Sequence, residues 1–209
     1  QENDFHKAVH LMGEAYAQIP HHPTLLFNLG NAQRAVGNLD AAEGMYLAAL
    51  KAYNWPVDVW AAHTYPASLG TPVDRATLAK MWQAALAAAG APKKPLWDTE
   101  NNFGLKGPGP QNPDVDLEGT KAADWVARTY LDALRLNISR VYWYRWEPYN
   151  DLWGIQMYNG TPGAAAYQTM QKWIVGATFN GCPTKGTNVT CNFTKGGKKF
   201  QVVYTDSGA

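Results

Sequence analysis

Polar and aromatic groups end three short strand-like runs of the chain, and their types fit sugar chemistry. The side chains at these ends are His63 and Tyr65, then Glu100 and Asn101, and then Trp143, Tyr144 and Trp146. A carboxylate can attack an anomeric carbon, and aromatic faces stack on pyranose rings. One carboxylate accompanied by histidine, tyrosine and tryptophan therefore indicates a site that binds or cleaves a saccharide.

Predicted helices between these runs would bring the three ends together. The predicted strands are residues 57–65, 95–102 and 140–146, and the predicted helices are residues 72–89, 118–136 and 162–175. Pro72 suits a first helical turn, and Gly90 stops the first of these helices. Alternation of strand and helix predicts parallel strands with right-handed crossovers, in which functional groups gather at the carboxyl ends of the strands.

The three runs resemble strands six, seven and eight of a clan A glycoside hydrolase, closest to family 39 or family 5. The matching segments are His63-Thr64-Tyr65-Pro66, Leu96-Trp97-Asp98-Thr99-Glu100 and Tyr142-Trp143-Tyr144-Arg145-Trp146, and the resemblance covers about residues 45–209. Members are secreted (β/α)8 barrels that retain anomeric configuration. The resemblance implies that Glu100 is the nucleophile, that His63 or Tyr65 orients it, and that Trp146 or Trp143 forms the sugar platform.

The chain departs from that family in two respects. The family's general acid/base is the glutamate of an Asn-Glu pair, and no Asn-Glu dipeptide occurs in this sequence. Three predicted strands also cannot close an eight-stranded barrel, so we expect an α/β fold with a partial barrel of about three βα units. The spare carboxylates are Glu14, Glu118, Glu147 and Asp151, of which the last two follow the third strand. An inactive site at Glu100 stays open as the alternative.

The first 53 residues predict helices with an internal 34-residue repeat. They resemble the tetratricopeptide repeat at Leu26, Leu29-Gly30, Gly37, Ala42, Tyr46 and Ala49, over one full repeat and the second helix of an earlier one. Such repeats bind peptides or proteins, so this segment could contact a protein partner or a second copy of the chain. The alternative is a helical packing element without a ligand, because roughly three repeats are needed for independent stability.

Residues 176–209 predict short β-strands and resemble the first strands of the small β-sandwich that follows the barrel in the family. Cys182 and Cys191 are the only cysteines, and they flank a turn-prone segment. That spacing favours a hairpin disulfide over a metal site, since further ligands are lacking nearby. A disulfide indicates an oxidising compartment, so we expect a secreted, periplasmic or cell-surface protein.

Composition excludes several classes of function. The formal net charge is +1, from 18 Lys+Arg against 17 Asp+Glu, so a nucleic-acid partner is not expected. No apolar run reaches the ~18 residues that a membrane span needs. His6 and His10 lack a third metal ligand at useful spacing, and we expect no metal and no cofactor. All nine tryptophans lie between Trp55 and Trp173, which predicts three parts: residues 1–53, 54–175 and 176–209.

Two hypotheses follow from these patterns. The first is a retaining glycosidase-like protein that binds or cleaves a poly- or oligosaccharide through Glu100 and a cleft lined by tryptophan and tyrosine. The second is an interaction or assembly module built on residues 1–53, without catalysis.

Overall fold

The structure is a computed structural model that describes residues 2–104, 117–146 and 154–206. Within them the helices are α1 (Glu2–Gln18), α2 (Pro23–Ala35), α3 (Leu39–Ala52), α4 (Pro72–Ala88), α5 (Gly119–Arg135) and α6 (Pro162–Ile174). The strands are β1 (Trp60–His63), β2 (Leu96–Asn101), β3 (Ile138–Trp143), β4 (Thr178–Phe179), β5 (Thr184–Lys185), β6 (Asn188–Lys195) and β7 (Lys198–Thr205). The chain divides into two compact units, of residues 1–58 with 86–93 and residues 59–85 with 94–209. The three-part division predicted from composition stays a prediction.

Helices α1 to α3 belong to the first unit, and small residues let them approach one another. Gly30 and Ala42 are buried between α2 and α3. A Cβ atom on Gly30 would lie 2.7 Å from the ring of Tyr46, so glycine is required for this approach. The Tyr46 hydroxyl donates to Asn31 Oδ1 at 2.8 Å. The small and large residues of the predicted repeat therefore meet at a helix–helix contact.

The second unit contains a parallel sheet in the order β1-β2-β3. Ala62, Leu96 and Ile138 lie on one face of this sheet and are buried with Ala79 of α4 and Ala133 of α5. The sheet is thus covered by two of the helices that connect its strands, as the alternating pattern predicts. Strand β1 ends at His63, because the next backbone N–H, that of Thr64, donates to the Asp98 carboxylate instead of continuing the ladder.

The C-terminal strands form a separate antiparallel sheet. Strand β6 pairs with β4, β5 and β7, and the structure joins Cys182 to Cys191 by a disulfide. The inner face of this sheet buries Val189, Phe193 and Tyr204 together with Leu131 of α5. The sheet therefore contributes to the same core as α5.

Ionic contacts fasten β7 to α5 beside that core. The Asp206 carboxylate accepts from Arg128 at 2.8 Å and from Arg135 at 2.9 Å. The Tyr204 hydroxyl donates to Asp132 Oδ1 at 2.6 Å, and Arg135 lies 2.9 Å from the same oxygen. Burial raises the pKa of Asp132 above its ordinary value, although the Tyr204 hydrogen bond and the Arg135 charge oppose that change.

None of the described helices has the length and apolar character that crossing a membrane requires.

Candidate functional site

His63 and Glu100 lie side by side at the carboxyl ends of β1 and β2. They are register partners in the parallel sheet, and His63 Nδ1 lies 3.3 Å from Glu100 Oε2. The side chains are 57% and 34% exposed, so both groups can reach solvent or a ligand. The Tyr65 ring stands edge-on to His63 with centroids 6.3 Å apart. The predicted juxtaposition of carboxylate, imidazole and phenol is therefore present in the fold.

A buried ionic network lies directly behind this pair. Asp98 is on β2, two residues before Glu100, and its carboxylate accepts from Arg75 of α4 and from the hydroxyl of Thr64. Arg75 also donates to the carbonyl of Thr129 in α5 at 3.4 Å. All four residues are 2% exposed or less. The network thus joins β1, β2, α4 and α5 immediately under the catalytic candidates.

Sequence reasoning did not single out Asp98 or Arg75. The alternation of β2 nevertheless indicates that Asp98 is buried, because it shares the helix-covered side of the sheet with Leu96. A carboxylate on a buried face requires a partner, and a helical arginine is the side chain best suited to supply one.

Two consecutive asparagines connect the end of β2 to the segment that carries the aromatic residues. Asn101 is completely buried, and its Nδ2 donates to the Tyr142 carbonyl at 3.0 Å. Within the described chain, no hydrogen-bond partner reaches its Oδ1. Asn102 donates to the carbonyls of Tyr144 and Ile155, and its Oδ1 accepts from the backbone N–H groups of Phe103 and Ile155. Asn102 therefore fastens three chain segments together.

The aromatic candidates at the end of β3 differ in exposure. Trp143 is half-buried, with its ring centroid 6.1 Å from that of Phe103. Trp146 is 41% exposed, and its ring lies 5.8 Å from Tyr167 of α6. Tyr144 is half-buried, and its backbone N–H donates to the Asn101 carbonyl at 3.0 Å. Trp146 is thus the candidate that offers most ring surface to a ligand.

A second aromatic group lies on the other face of the sheet. The guanidinium of Arg140 is 4.6 Å from the ring of Trp97, and Tyr142 lies 6.2 Å from the same ring. Trp97 and Arg140 are register partners of β2 and β3, and the next pair along these strands is Asp98 and Val141. The stack was not foreseen, because a register irregularity between Leu96 and Trp97 separates Arg140 from Ile138, although simple alternation along β3 would place both on one face.

A carboxylate that could act together with Glu100 is not identified in the part of the chain that the structure describes. Glu147 and Asp151, which follow the third predicted strand, lie outside the described residues. Glu14 belongs to the first unit, where it lies 3.5 Å from His10, and Glu118 stands at the N-cap of α5. The described residues also contain no group of three or more His, Cys, Asp or Glu that could hold a metal.

Comparisons with known proteins agree with both resemblances predicted from the sequence. The tetratricopeptide repeat family model matches residues 1–63. A solved family 39 glycoside hydrolase from the gut symbiont Bacteroides cellulosilyticus WH2 aligns over 89% of this chain with 17% identity and a TM-score of 0.52. A glucosidase from Croceicoccus marinus aligns over 82% with 16% identity and a TM-score of 0.45. No curated protein matches the chain.

This chain corresponds to less than half of each of these solved structures. The chain spans 44% of the length of each of the two solved structures. At 17% identity, the likeness to the family 39 structure establishes a similar fold, with helices around a parallel sheet. The N-terminal residues are similar to tetratricopeptide repeats, and their three helices α1 to α3 correspond to the predicted one full repeat and one further helix.

Proposed function

We propose that residues 54–175 are part of a (β/α) barrel that binds and cleaves a poly- or oligosaccharide, with Glu100 as the nucleophile of a retaining mechanism. The observation that carries this proposal is the Glu100–His63 pair at the carboxyl edge of the parallel sheet, 3.3 Å apart and accessible to solvent. In parallel α/β sheets, this edge is where ligands bind. The exposed Trp146, on the chain that follows β3, supplies a surface for stacking on a pyranose ring.

The chemistry proceeds in two displacements. A Glu100 carboxylate oxygen attacks the anomeric carbon and forms a glycosyl ester, while the bond from that carbon to the leaving oxygen breaks and the oxygen takes up a proton. Water then attacks the same carbon, loses its proton and releases Glu100. In this proposal His63, whose Nδ1 lies 3.3 Å from Glu100 Oε2, keeps the carboxylate in one orientation, and the Asp98–Arg75–Thr64 network keeps the two strand ends in register.

The proton donor for the leaving oxygen is the part of the mechanism that the described residues do not supply. A substrate whose leaving group departs without protonation tests Glu100 separately from that donor. Glycosyl fluorides with a 2-deoxy-2-fluoro sugar meet this requirement, and the 2-fluorine also slows hydrolysis of the ester. Incubation with gluco-, galacto-, manno- and xylo-configured reagents should add one fluoroglycosyl mass to the intact chain, on the peptide that contains Glu100.

Two variants make this experiment specific. Glu100→Gln should abolish the adduct, since an amide oxygen is a poor nucleophile. Glu118→Gln removes an exposed carboxylate at the start of α5 and should label as the wild type does. An adduct on another carboxylate would contradict the assignment of Glu100, and absence of labelling with all four reagents would oppose catalysis by this chain.

A second function is favoured by the match of residues 1–63 to tetratricopeptide repeats. We propose that α1 and α2 contact a partner protein or another copy of the chain through Phe5, Leu11 and Phe27, which are about half exposed. Sedimentation analysis of the wild type against Leu11→Glu tests self-association. A larger species that persists in the variant would exclude this surface. The disulfide supports a secreted, periplasmic or cell-surface location for either function.

A further inference from the structure

The C-terminal part of the chain carries a concentrated positive charge that the overall composition hides. Residues 152–205 contain five lysines and no aspartate or glutamate, although the whole chain has a net charge of only +1. Lys195, Lys198 and Lys199 lie at the ends of β6 and β7 around their connecting turn, and all three are exposed. Lys172 lies in the last turn of α6. This surface is far along the chain from Glu100 and has no part in the mechanism above.

A pocket of about 450 Å³ opens inside this basic surface. Its lining residues are Lys172, Trp173, Lys195, Phe200 and Gln201, and we call it the Trp173 pocket. The volume lies within the range of about 300–1,000 Å³ that is typical of ligand sites. Trp173 is 45% exposed, so part of its ring is accessible to a ligand.

Hydrogen bonds and stacking hold the lining side chains in place. Lys195 Nζ donates to the Lys172 carbonyl at 2.7 Å, which fixes the ammonium at the pocket and leaves two of its donors for a ligand. Gln201 Nε2 donates to Asn192 Oδ1 at 2.8 Å, so that the amide oxygen of Gln201 is oriented as an acceptor. The Phe200 ring stacks on Phe193, with centroids 5.2 Å apart. Three of the five lining side chains are therefore positioned before any ligand arrives, which lowers the entropic cost of binding.

The pocket continues into a neighbouring groove. Phe200 and Gln201 also line a second depression of about 650 Å³, whose other walls include Asn180, Asn192, Thr194 and Lys199. The Asn180 amide donates to the Thr194 hydroxyl, and the Asn192 amide is bonded to backbone carbonyls and to Gln201. The groups that we assign to a ligand here are therefore the Lys199 ammonium and the Gln201 amide oxygen. Together the two depressions offer the Trp173 ring for stacking and, beside it, polar groups for hydrogen bonding, so they have room for more than one sugar unit.

We propose that the Trp173 pocket and its adjoining groove bind an acidic polysaccharide, independently of the Glu100 site. The apolar face of one pyranose ring stacks on Trp173, its hydroxyl groups bond to the Gln201 amide, and uronate carboxylates pair with Lys195 and Lys199. A phosphate-rich ligand such as RNA or an anionic membrane would satisfy the lysines, but it would not require the combination of a single indole and an oriented amide.

The test titrates three acidic oligosaccharides and, for one of them, a neutral ester that differs from it in charge. Oligogalacturonate, oligoalginate and hyaluronan oligosaccharides are titrated into the full chain by calorimetry, beside the methyl-esterified form of oligogalacturonate. We expect at least one uronate oligosaccharide to bind. Where that ligand is oligogalacturonate, its ester should bind about tenfold or more weakly, and rising salt should weaken binding in each case. Equal affinity for the ester, or no binding by any of the three polymers, would overturn the proposal.

Variants separate stacking from charge. Trp173→Ala should weaken binding about tenfold, in the range found for aromatic anchors, and Lys195→Ala should weaken it about two- to fivefold, as for an exposed ion pair. The matched controls Trp82→Ala and Lys80→Ala change exposed residues of α4 and should bind as the wild type does. The proposal is refuted if Trp173→Ala retains full affinity while folded by circular dichroism, or if RNA or phosphatidylserine vesicles bind as tightly and independently of Trp173.

Discussion

The Asp98–Arg75 ion pair offers the sharpest test of how the sheet edge is held. Both side chains are about 1% exposed, and Asp98 accepts from the Arg75 guanidinium, the Thr64 hydroxyl and the Thr64 backbone N–H. Removing one partner leaves the other charge buried without compensation. We therefore expect Asp98→Asn and Arg75→Met each to lower the free energy of unfolding by about 3–5 kcal/mol. Single domains have a total stability of about 5–15 kcal/mol, so each change alone approaches the limit of folding.

The double variant distinguishes a charge effect from lost packing. In Asp98→Asn with Arg75→Met, no buried charge remains at this position, and the asparagine oxygen can still accept from Thr64. We expect the double variant to be more stable than either single variant, since replacement of a buried ion pair by neutral groups is often close to neutral. The double-mutant cycle should then give a coupling of several kcal/mol, well above that of separate sites.

Urea unfolding followed by tryptophan fluorescence measures the free energy of unfolding of these variants. Eight of the nine tryptophans lie at residues 60–173, so the emission reports mainly the sheet-bearing part of the chain. Additive losses in the double variant, or single losses below about 1 kcal/mol, would refute the argument that Asp98 and Arg75 compensate each other's charge.

Two carboxylates should change the pH dependence of stability in opposite directions. Burial raises the pKa of Asp132 in the folded state. The stabilisation by its protonated form is therefore complete below pH 3.8 and is lost as pH rises through the folded-state pKa. Asp132→Asn should make the free energy of unfolding depend less on pH over that window. The backbone N–H of Thr71 donates to the Asp74 carboxylate and lowers its pKa. The stabilisation by the ionised carboxylate is therefore present above pH 3.8 and is lost as pH falls through the folded-state pKa. Asp74→Ala should lower the free energy of unfolding by about 1 kcal/mol at pH 7 and by little at pH 2. Chemical denaturation from pH 2 to 7 measures both, and an unchanged profile in either variant would contradict its assignment.

Local patterns were sufficient to predict most of the helices. The predicted helix that begins at Pro72 is α4, which ends at Ala88 shortly before Gly90, where φ is +68°. Proline at the first turn and glycine in the left-handed conformation after the last act through neighbouring residues alone, and so they are readable from sequence. The same holds for α6, whose Thr161 side chain accepts from the Ala164 N–H.

Features that depend on distant partners were less predictable. Strand β1 ends earlier than predicted because Thr64 bonds to Asp98, 34 residues away, and no local pattern contains that contact. The amide network of Asn102 likewise joins segments more than 40 residues apart. The types of the candidate site residues could be read from strand ends, whereas the side chains that hold them in position could not.

The attachment of β7 to α5 limits where the polypeptide can be shortened or fused. Arg128 is 2% exposed and faces Asp206, which is the last residue that the structure describes. A truncation before Asp206 would remove a carboxylate from beside a buried guanidinium and weaken a contact between two layers of the core. Expression designs for crystallography or for surface immobilisation should therefore keep Asp206 and place any affinity tag beyond it through a polar linker.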